Sequence, residues 1–461
     1  MLAKFKKKYI GDWDFYQKYL LLAIPMILQN AITNLVSFLE IMVGQLGTEQ
    51  MSGVAIVNQL IFVYNLAIFG AVSAASIFGA QYFGKGNHKG HMYSFRFKLY
   101  ATLLVTGGAI LLFLTKGSAL ISLYLTDTVG NGATDLALQY GLEYLAIMMV
   151  GLIPFAVNQS YATNIKETGQ TFIPMLASFV AVGTNAILDY LMIFGIGPFP
   201  ELGVQGAALA TVIARYIEAL IVVIWAHIHR GKNRYLEGAY TGFGIPLAEL
   251  KAILIKGFPL MMNEVLWAAG MTTVTQCYSV RGLDVVAGLN IASTITNLFN
   301  IVYLQLGSCI SIVVGQYLGA GKLEDAKDAD NKMIVFSVFC CVIMAALMFV
   351  VGGFFPGIYN TTEEIRELAT SFIAVSAIIM PFCAFSHASY FTLRSGGKTV
   401  VTFLFDSVFT WVIVVPAAYL LAHFTGLGIV SIYFLVQGTE LIKVIIGYLM
   451  VKSNVWVVQM V

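Results

Sequence analysis

Charge is scarce in this chain. Of 461 residues only 11% are Asp, Glu, Lys or Arg, where an ordinary soluble domain carries roughly 25%. Set beside 59% hydrophobic residues, that shortage excludes a water-soluble globule, which could not hide so much apolar surface. The 26 basic residues outnumber the 24 acidic ones by only two. They stand between apolar blocks rather than on one face, so no nucleic-acid partner is expected. Cysteine is scarcer still. Cys277, Cys309, Cys340, Cys341 and Cys383 all lie in apolar stretches without metal-ligand spacing, which makes them small buried hydrophobes and implies no redox chemistry. No His-Asp, Cys-His or metal-ligand cluster stands at the end of an apolar block, so neither an enzyme nor a cofactor is expected.

What the chain has in abundance is long apolar runs. A membrane span needs about 20 consecutive, mainly apolar residues to cross roughly 30 Å of hydrocarbon. Runs of that length fall near 20–43, 54–80, 95–115, 137–160, 172–194, 206–227, 253–279, 286–314, 333–352, 368–392, 400–422 and 426–451. They predict an all-α integral membrane protein with about 12 transmembrane helices. The basic N-terminus, Lys4 to Lys8 and Lys18, resembles the start of a signal peptide. The apolar run that follows is too long for one, and no small-residue cleavage site comes after it, so it reads as a retained first span.

Basic residues collect in cytoplasmic loops. With the N-terminus inside, about 21 Lys and Arg fall in inner segments and 3 in outer ones, namely Lys116, Arg281 and Arg366. A missed or invented span would scramble that alternation. Both termini are therefore expected in the cytoplasm.

The longest polar connection, about 228–252, follows the sixth span, and beyond it the chain repeats itself. Gln81-Tyr82-Phe83-Gly84 returns as Gln316-Tyr317-Leu318-Gly319, Gly47 and Gly53 return as Gly282 and Gly288, and Pro25 returns as Pro259. Further on, Pro154-Phe155 and Ser160-Tyr161-Ala162-Thr163 return as Pro381-Phe382 and Ser389-Tyr390-Phe391-Thr392. Each half holds an even number of spans, so the two six-helix bundles are parallel repeats about an axis along the membrane normal. The expected division is an N-lobe over 1–235, a cytoplasmic linker over 236–252 and a C-lobe over 253–461. In such a protein the transport site belongs near the midplane.

Val43-Gly44-Gln45-Leu46-Gly47, Ala75-Ser76-Ile77-Phe78-Gly79-Ala80-Gln81-Tyr82-Phe83-Gly84, Asn185-Ala186-Ile187-Leu188-Asp189-Tyr190 and Gly315-Gln316-Tyr317-Leu318-Gly319-Ala320-Gly321 resemble, in order and spacing, the multidrug and toxic compound extrusion (MATE) family of bacterial transporters. The resemblance covers essentially the whole chain. It implies two six-helix lobes around a V-shaped cavity, with entry of a coupling ion, H+ or Na+, driving export of amphipathic or cationic compounds. In the bacterial branch it implies a cation site in which a first-span acid works with an Asn and an Asp one turn apart in the fifth span. The latter match Asn185 and Asp189. The first-span acid would fall at Leu39, with Glu40 one residue later, a rotation of about 100° around the helix.

Asp189 is the leading candidate on chemistry as well. A carboxylate at mid-bilayer costs roughly 2.5–3.5 kcal/mol, so it calls for a reason. Asn185 shares its helical face at i−4 and offers a carbonyl ligand or an amide donor. In the second half, at a shift of about 228, the matching positions are Ile413 and Ala417; the polarity is absent from the copy, as a site rather than a packing motif requires. Thr211 is a candidate further ligand, the plainer alternative being a hydroxyl bonded to its own helix. Glu40 and Thr211 complete the expected cation group, with Na+ at Asp189 the one metal to consider. Glu264, Asn263 and His387 are the substrate-side candidates, on the grounds of a seventh-span acid beside the Pro259 kink and an imidazole near neutral pKa. Arg215 with Glu218, and Glu440 with Lys443, are spaced i, i+3 and are expected to pair.

The expected protein is thus a monomeric, multi-pass transporter of the bacterial plasma membrane whose partners are small-molecule substrates and the lipid bilayer. A lipid-linked oligosaccharide flippase of the same superfamily is the nearest alternative, and a channel or receptor is the alternative from another class.

Overall fold

The computed structural model describes residues 8–44, 47–125, 131–242 and 244–461, with the side chains of 35–44 and 131–133 outside the description. Among the described residues there is no strand. Twelve long helices follow one another: α1 Trp13–Gly44, α2 Thr48–Lys85, α3 His88–Ser122, α4 Asn131–Glu167, α5 Phe172–Ile193, α6 Gly203–Ile228, α7 Leu247–Ser279, α8 Leu283–Gly319, α9 Leu323–Gly352, α10 Glu363–Ser395, α11 Thr399–Phe424 and α12 Ile429–Lys452. Eleven of them, α2 to α12, are long and apolar enough to cross a membrane. In hydrocarbon a helix satisfies every backbone polar group internally, which is why apolar runs of this length fold this way.

Most helices outrun the apolar stretches that predict them. The stretch 95–115 becomes His88–Ser122, and 286–314 becomes Leu283–Gly319. Hydropathy marks only the apolar part of each helix, whereas the helix continues into its polar flanks. Interior prolines include Pro25, Pro154, Pro259 and Pro381, the two pairs matched by the repeat, and Pro416 of α11. A proline removes one intrahelical hydrogen bond and bends the helix.

The chain divides into two compact units. One comprises Leu28–Gly79 and His88–Lys251; the other comprises Met1–Ile27, Ala80–Asn87 and Ala252–Val461. The core of the first is built on Val57, Ile61, Tyr64, Ile68, Leu152 and Ala208, and the Tyr64 hydroxyl reaches Thr106 and the Leu152 carbonyl at 2.8 and 3.0 Å. The second unit packs Cys341, Met348, Phe372, Ile373 and Ile432 together. It also takes in the start of α1, where the Tyr19 hydroxyl donates to the Leu306 carbonyl at 3.0 Å.

The polar connection after α6 is folded onto the first unit rather than strung loosely. Arg96 of α3 donates to the carbonyls of Gly238, Gly244 and Ala239 at 2.6, 2.7 and 2.9 Å. Tyr235 is 1% exposed and lies against the rings of His91 and Phe95. Burial, with Glu167 nearby, pushes its hydroxyl pKa well above the usual phenol range.

Candidate functional site

Helix α5 builds the first part of the site. Its buried residues include Pro174, Ser178, Ala181, Asn185, Asp189 and Met192, a spacing of three and four that draws one stripe along the helix. The stripe faces α6, whose buried residues are mostly Gly, Ala and Val. A Cβ at Gly206 would stand 2.5 Å from the Met192 carbonyl, so the missing side chain lets the two backbones close up. Close packing of α5 on α6 is what brings polar groups of both helices together inside an apolar bundle.

Asn185 and Thr211 meet directly, the amide donating to the hydroxyl at 3.4 Å. Asp189, one turn further along α5, is 5% exposed. Its Oδ1 finds no hydrogen-bond donor, and no basic group pairs with it among the described residues. The geometry is therefore a buried carboxylate with spare acceptor capacity beside an amide and a hydroxyl. Glu40 stands near the end of α1, where the side chains lie outside the described residues.

A second polar group lies two turns along the same α5–α6 contact. The Ser178 hydroxyl accepts from Gln29 of α1 at 2.9 Å and donates to Glu218 of α6 at 2.5 Å. Asn158 of α4 stands beside that carboxylate. The expected pairing of Arg215 with Glu218 does not form. Arg215 instead donates to the Gly151 carbonyl at 3.4 Å and lies over the Phe155 ring at 5.1 Å, a cation–π arrangement that turns the guanidinium towards α4.

In the other unit the substrate-side candidates fall around one carboxylate that the sequence reading overlooked, Asp406. Its two oxygens accept from Asn263 and Lys443, each at 3.0 Å. Lys443 also reaches Glu440 at 4.0 Å, the pairing expected from their spacing. Helix α11 is wound as a π-helix over Leu404–Val408, and such a segment frees backbone groups for outside partners. Asn263 exploits this: its Oδ1 accepts from the Ser407 amide and hydroxyl at 3.3 and 2.8 Å. Glu264, the next residue, is half-buried and makes no hydrogen bond among the described residues; Arg394 and Asp406 are its charged neighbours. The His387 ring lies 4.7 Å from that of Tyr303, and its Nδ1 is 3.0 Å from the Cys383 carbonyl.

Another overlooked group lies at the other end of the first unit. Glu167, 2% exposed, binds Lys98 at 2.5 Å and His91 at 3.3 Å, and Lys98 also donates to Asn164. Lys98 falls within the apolar stretch 95–115 of α3 and Glu167 is the last residue of α4, beyond the stretch 137–160; both are buried.

An all-helical, internally repeated bundle with eleven helices long and apolar enough to cross a membrane has the build of a membrane transporter. The sequence model of the MatE family matches residues 25–191 and again 259–420, well over half of the chain, so the chain belongs to the MATE family of membrane transporters. The two matches begin at the paired prolines, Pro25 and Pro259. Among relatives, the probable multidrug resistance protein NorM of Thermotoga maritima is 23% identical over 413 residues, covering 89% of this chain and 86% of that protein. The protein of the same name in Halalkalibacterium halodurans is 24% identical, covering 89% and 88%. Among solved structures, an outward-facing multidrug resistance MATE transporter of the MOP superfamily superposes with a TM-score of 0.85 at 20% identity, covering 96% of both chains. A MOP superfamily transporter from Pyrococcus furiosus, described as having a binding pocket of reverse polarity that suggests a different function, gives 0.84 at 19% identity. At these identities the structures share the fold, and the small-molecule cargo and bilayer setting follow from the family.

Proposed function

We propose that this transporter is a cation-coupled antiporter that exports amphipathic or cationic compounds by alternating access, with both termini in the cytoplasm. The observation that carries the reading is Asp189, a carboxylate 5% exposed whose Oδ1 lacks a donor. A group held this way is fitted to take up and release a positive ion, because the ion supplies the interaction that the protein withholds. Asn185 and Thr211 are its neighbours in the proposed cation group, and Glu40 is the first-span acid assigned to it. On the substrate side Glu264 has the free carboxylate, whereas Asn263 is engaged by Asp406 and Ser407 and His387 by its own helix.

Coupling requires cation and substrate to favour different conformations, since a ligand with equal affinity for both shifts nothing. One charge moving through 100 mV supplies roughly 2.3 kcal/mol, enough for about a 50-fold gradient of a neutral substrate at 1.4 kcal/mol per tenfold. A one-for-one exchange of a monovalent cation for a cationic drug moves no net charge, so the ion's own gradient then drives it alone.

The multidrug assignment draws on the names of the relatives. The flippase alternative needs basic groups to meet a pyrophosphate, whereas the α5–α6 contact carries the carboxylates Asp189 and Glu218, with Arg215 turned away towards Gly151. The test is export of an amphipathic fluorescent cation from proteoliposomes, driven separately by a pH step and by a sodium step. Export under one of them is expected and identifies the ion; export under neither overturns the antiport reading.

A further inference from the structure

The two units carry the same hydrogen-bonded ledge with its charge reversed. The repeat relates α1 to α7 at a shift of 234 through Pro25 and Pro259, α5 to α11 at the 228 already used, and α6 to α12 at 225 through Leu202-Gly203 and Leu427-Gly428. Those registers match Gln29 with Asn263, Ser178 with Asp406, and Glu218 with Lys443. The bonds match as well. Gln29 meets Ser178 at 2.9 Å where Asn263 meets Asp406 at 3.0 Å, and Ser178 meets Glu218 at 2.5 Å where Asp406 meets Lys443 at 3.0 Å. The α4 to α10 register, through Ser160-Tyr161 and Ser389-Tyr390, adds Asn158 opposite His387, and each is a neighbour of the α6 or α12 charge.

In the second copy the ledge is neutralised internally. The Lys443 ammonium, 8% exposed, is held by Asp406 and reaches Glu440. In the first copy the carboxylate has moved to the α6 position and no cation of the protein comes within ion-pair distance of it among the described residues. Its contacts are the Ser178 hydroxyl and the Asn158 amide; the charged groups facing it are Arg215, directed at Gly151, and Lys166 on α4. The same framework thus supplies a fixed cation in one half and lacks one in the other. Glu218 lies seven residues beyond Thr211 on α6, about 10 Å along the helix, on the side away from Asp189.

We infer that Glu218 is a second binding station for the monovalent coupling cation, taking it from the Asp189 group and passing it towards the cytoplasmic end, where Lys443 is the permanent counterpart in the other half. This rests on the antiport reading and adds a residue to it. In the proton case Glu218 gains and loses one proton at a carboxylate oxygen; in the sodium case that oxygen, the Ser178 hydroxyl and the Asn158 side chain are the ligands.

Three variants in proteoliposomes test it: Glu218→Gln, Glu218→Asp and the double variant Ser178→Asp with Glu218→Lys, which transplants the internal ion pair of the other half. Against an imposed ion gradient of about tenfold, the wild type sustains a substrate gradient of about tenfold in one-for-one exchange. Glu218→Gln and the double variant are expected to bring it close to unity while their melting temperatures in detergent stay near that of the wild type. Glu218→Asp, which restores a carboxylate, is expected to recover part of it. Wild-type gradients in Glu218→Gln and in the double variant, under both pH and sodium steps, with Asp189→Asn inactive, would remove Glu218 and leave the antiport reading intact. Wild-type gradients in Asp189→Asn as well would overturn both.

Discussion

A charge enclosed by apolar helices keeps its charge only when something nearby offsets the loss of water. Asp406 has that offset in Lys443 and Asn263, and Lys443 has it in Asp406 and Glu440. Removing one partner of such a buried pair leaves the other uncompensated and typically costs about 3–5 kcal/mol. Lys443→Met is therefore expected to lower the melting temperature of the purified protein sharply. Adding Asp406→Asn to it is expected to restore part of the loss, since Asp406 is then no longer an unpaired charge and only Glu440 still lacks its cation. A Lys443→Met protein that melts like the wild type would contradict the pairing. Asp406 itself was open to discovery in the sequence: it interrupts an apolar run, and the register that sets Ile413 and Ala417 opposite Asn185 and Asp189 also sets it opposite Ser178. Its partners were harder to read, because the π-helical turn that frees the Ser407 amide for Asn263 leaves no mark in hydropathy.

Helix crossings explain the most conspicuous repeated motif. Gln81-Tyr82-Phe83-Gly84 ends α2 and Gln316-Tyr317-Leu318-Gly319 ends α8, and within one unit each glycine lies against the glutamine of the other copy. A Cβ on Gly84 would overlap the Gln316 carbonyl, and a Cβ on Gly319 would overlap the Gln81 carbonyl. Neither obstacle is a flexible side-chain end, so the backbones themselves would have to part. Gly319→Ala is expected to cost about 1–3 kcal/mol, the usual range for overpacking, and Gly84→Ala a similar amount, read as a lower melting temperature. Gly107→Ala, where the added methyl meets open space, is the control and is expected to change little. Melting of Gly319→Ala at or above the wild-type temperature would contradict the crossing. The motif was visible as a pattern, but its cause was not, because a contact between α2 and α8 joins residues more than 200 positions apart. Helix ends were legible only within limits: Glu167 lies beyond the apolar stretch 137–160 yet ends α4 buried against Lys98 of α3, and only tertiary packing brings the two helices close enough to pair them.

At the scale of the whole molecule, duplication supplies a common framework and divergence supplies the function. The apolar runs, the charge alternation and the repeat all pointed to the helical bundle, and they did so because lipid leaves the backbone few alternatives. Sites follow a weaker logic. The proposed sites fall where one copy keeps polarity that the other has lost, as with Asn185 and Asp189, or where the two copies carry opposite charges on one scaffold, as with Glu218 and Lys443. The central claim of the proposed antiport is that Asp189 has no permanent cationic partner, so that a proton or a passing cation can bind and leave. Asp189→Asn, assayed for ion-gradient-driven export in vesicles alongside a measurement of folding and membrane insertion, tests this most directly. The account predicts normal insertion with export lost; export at the wild-type level would contradict it.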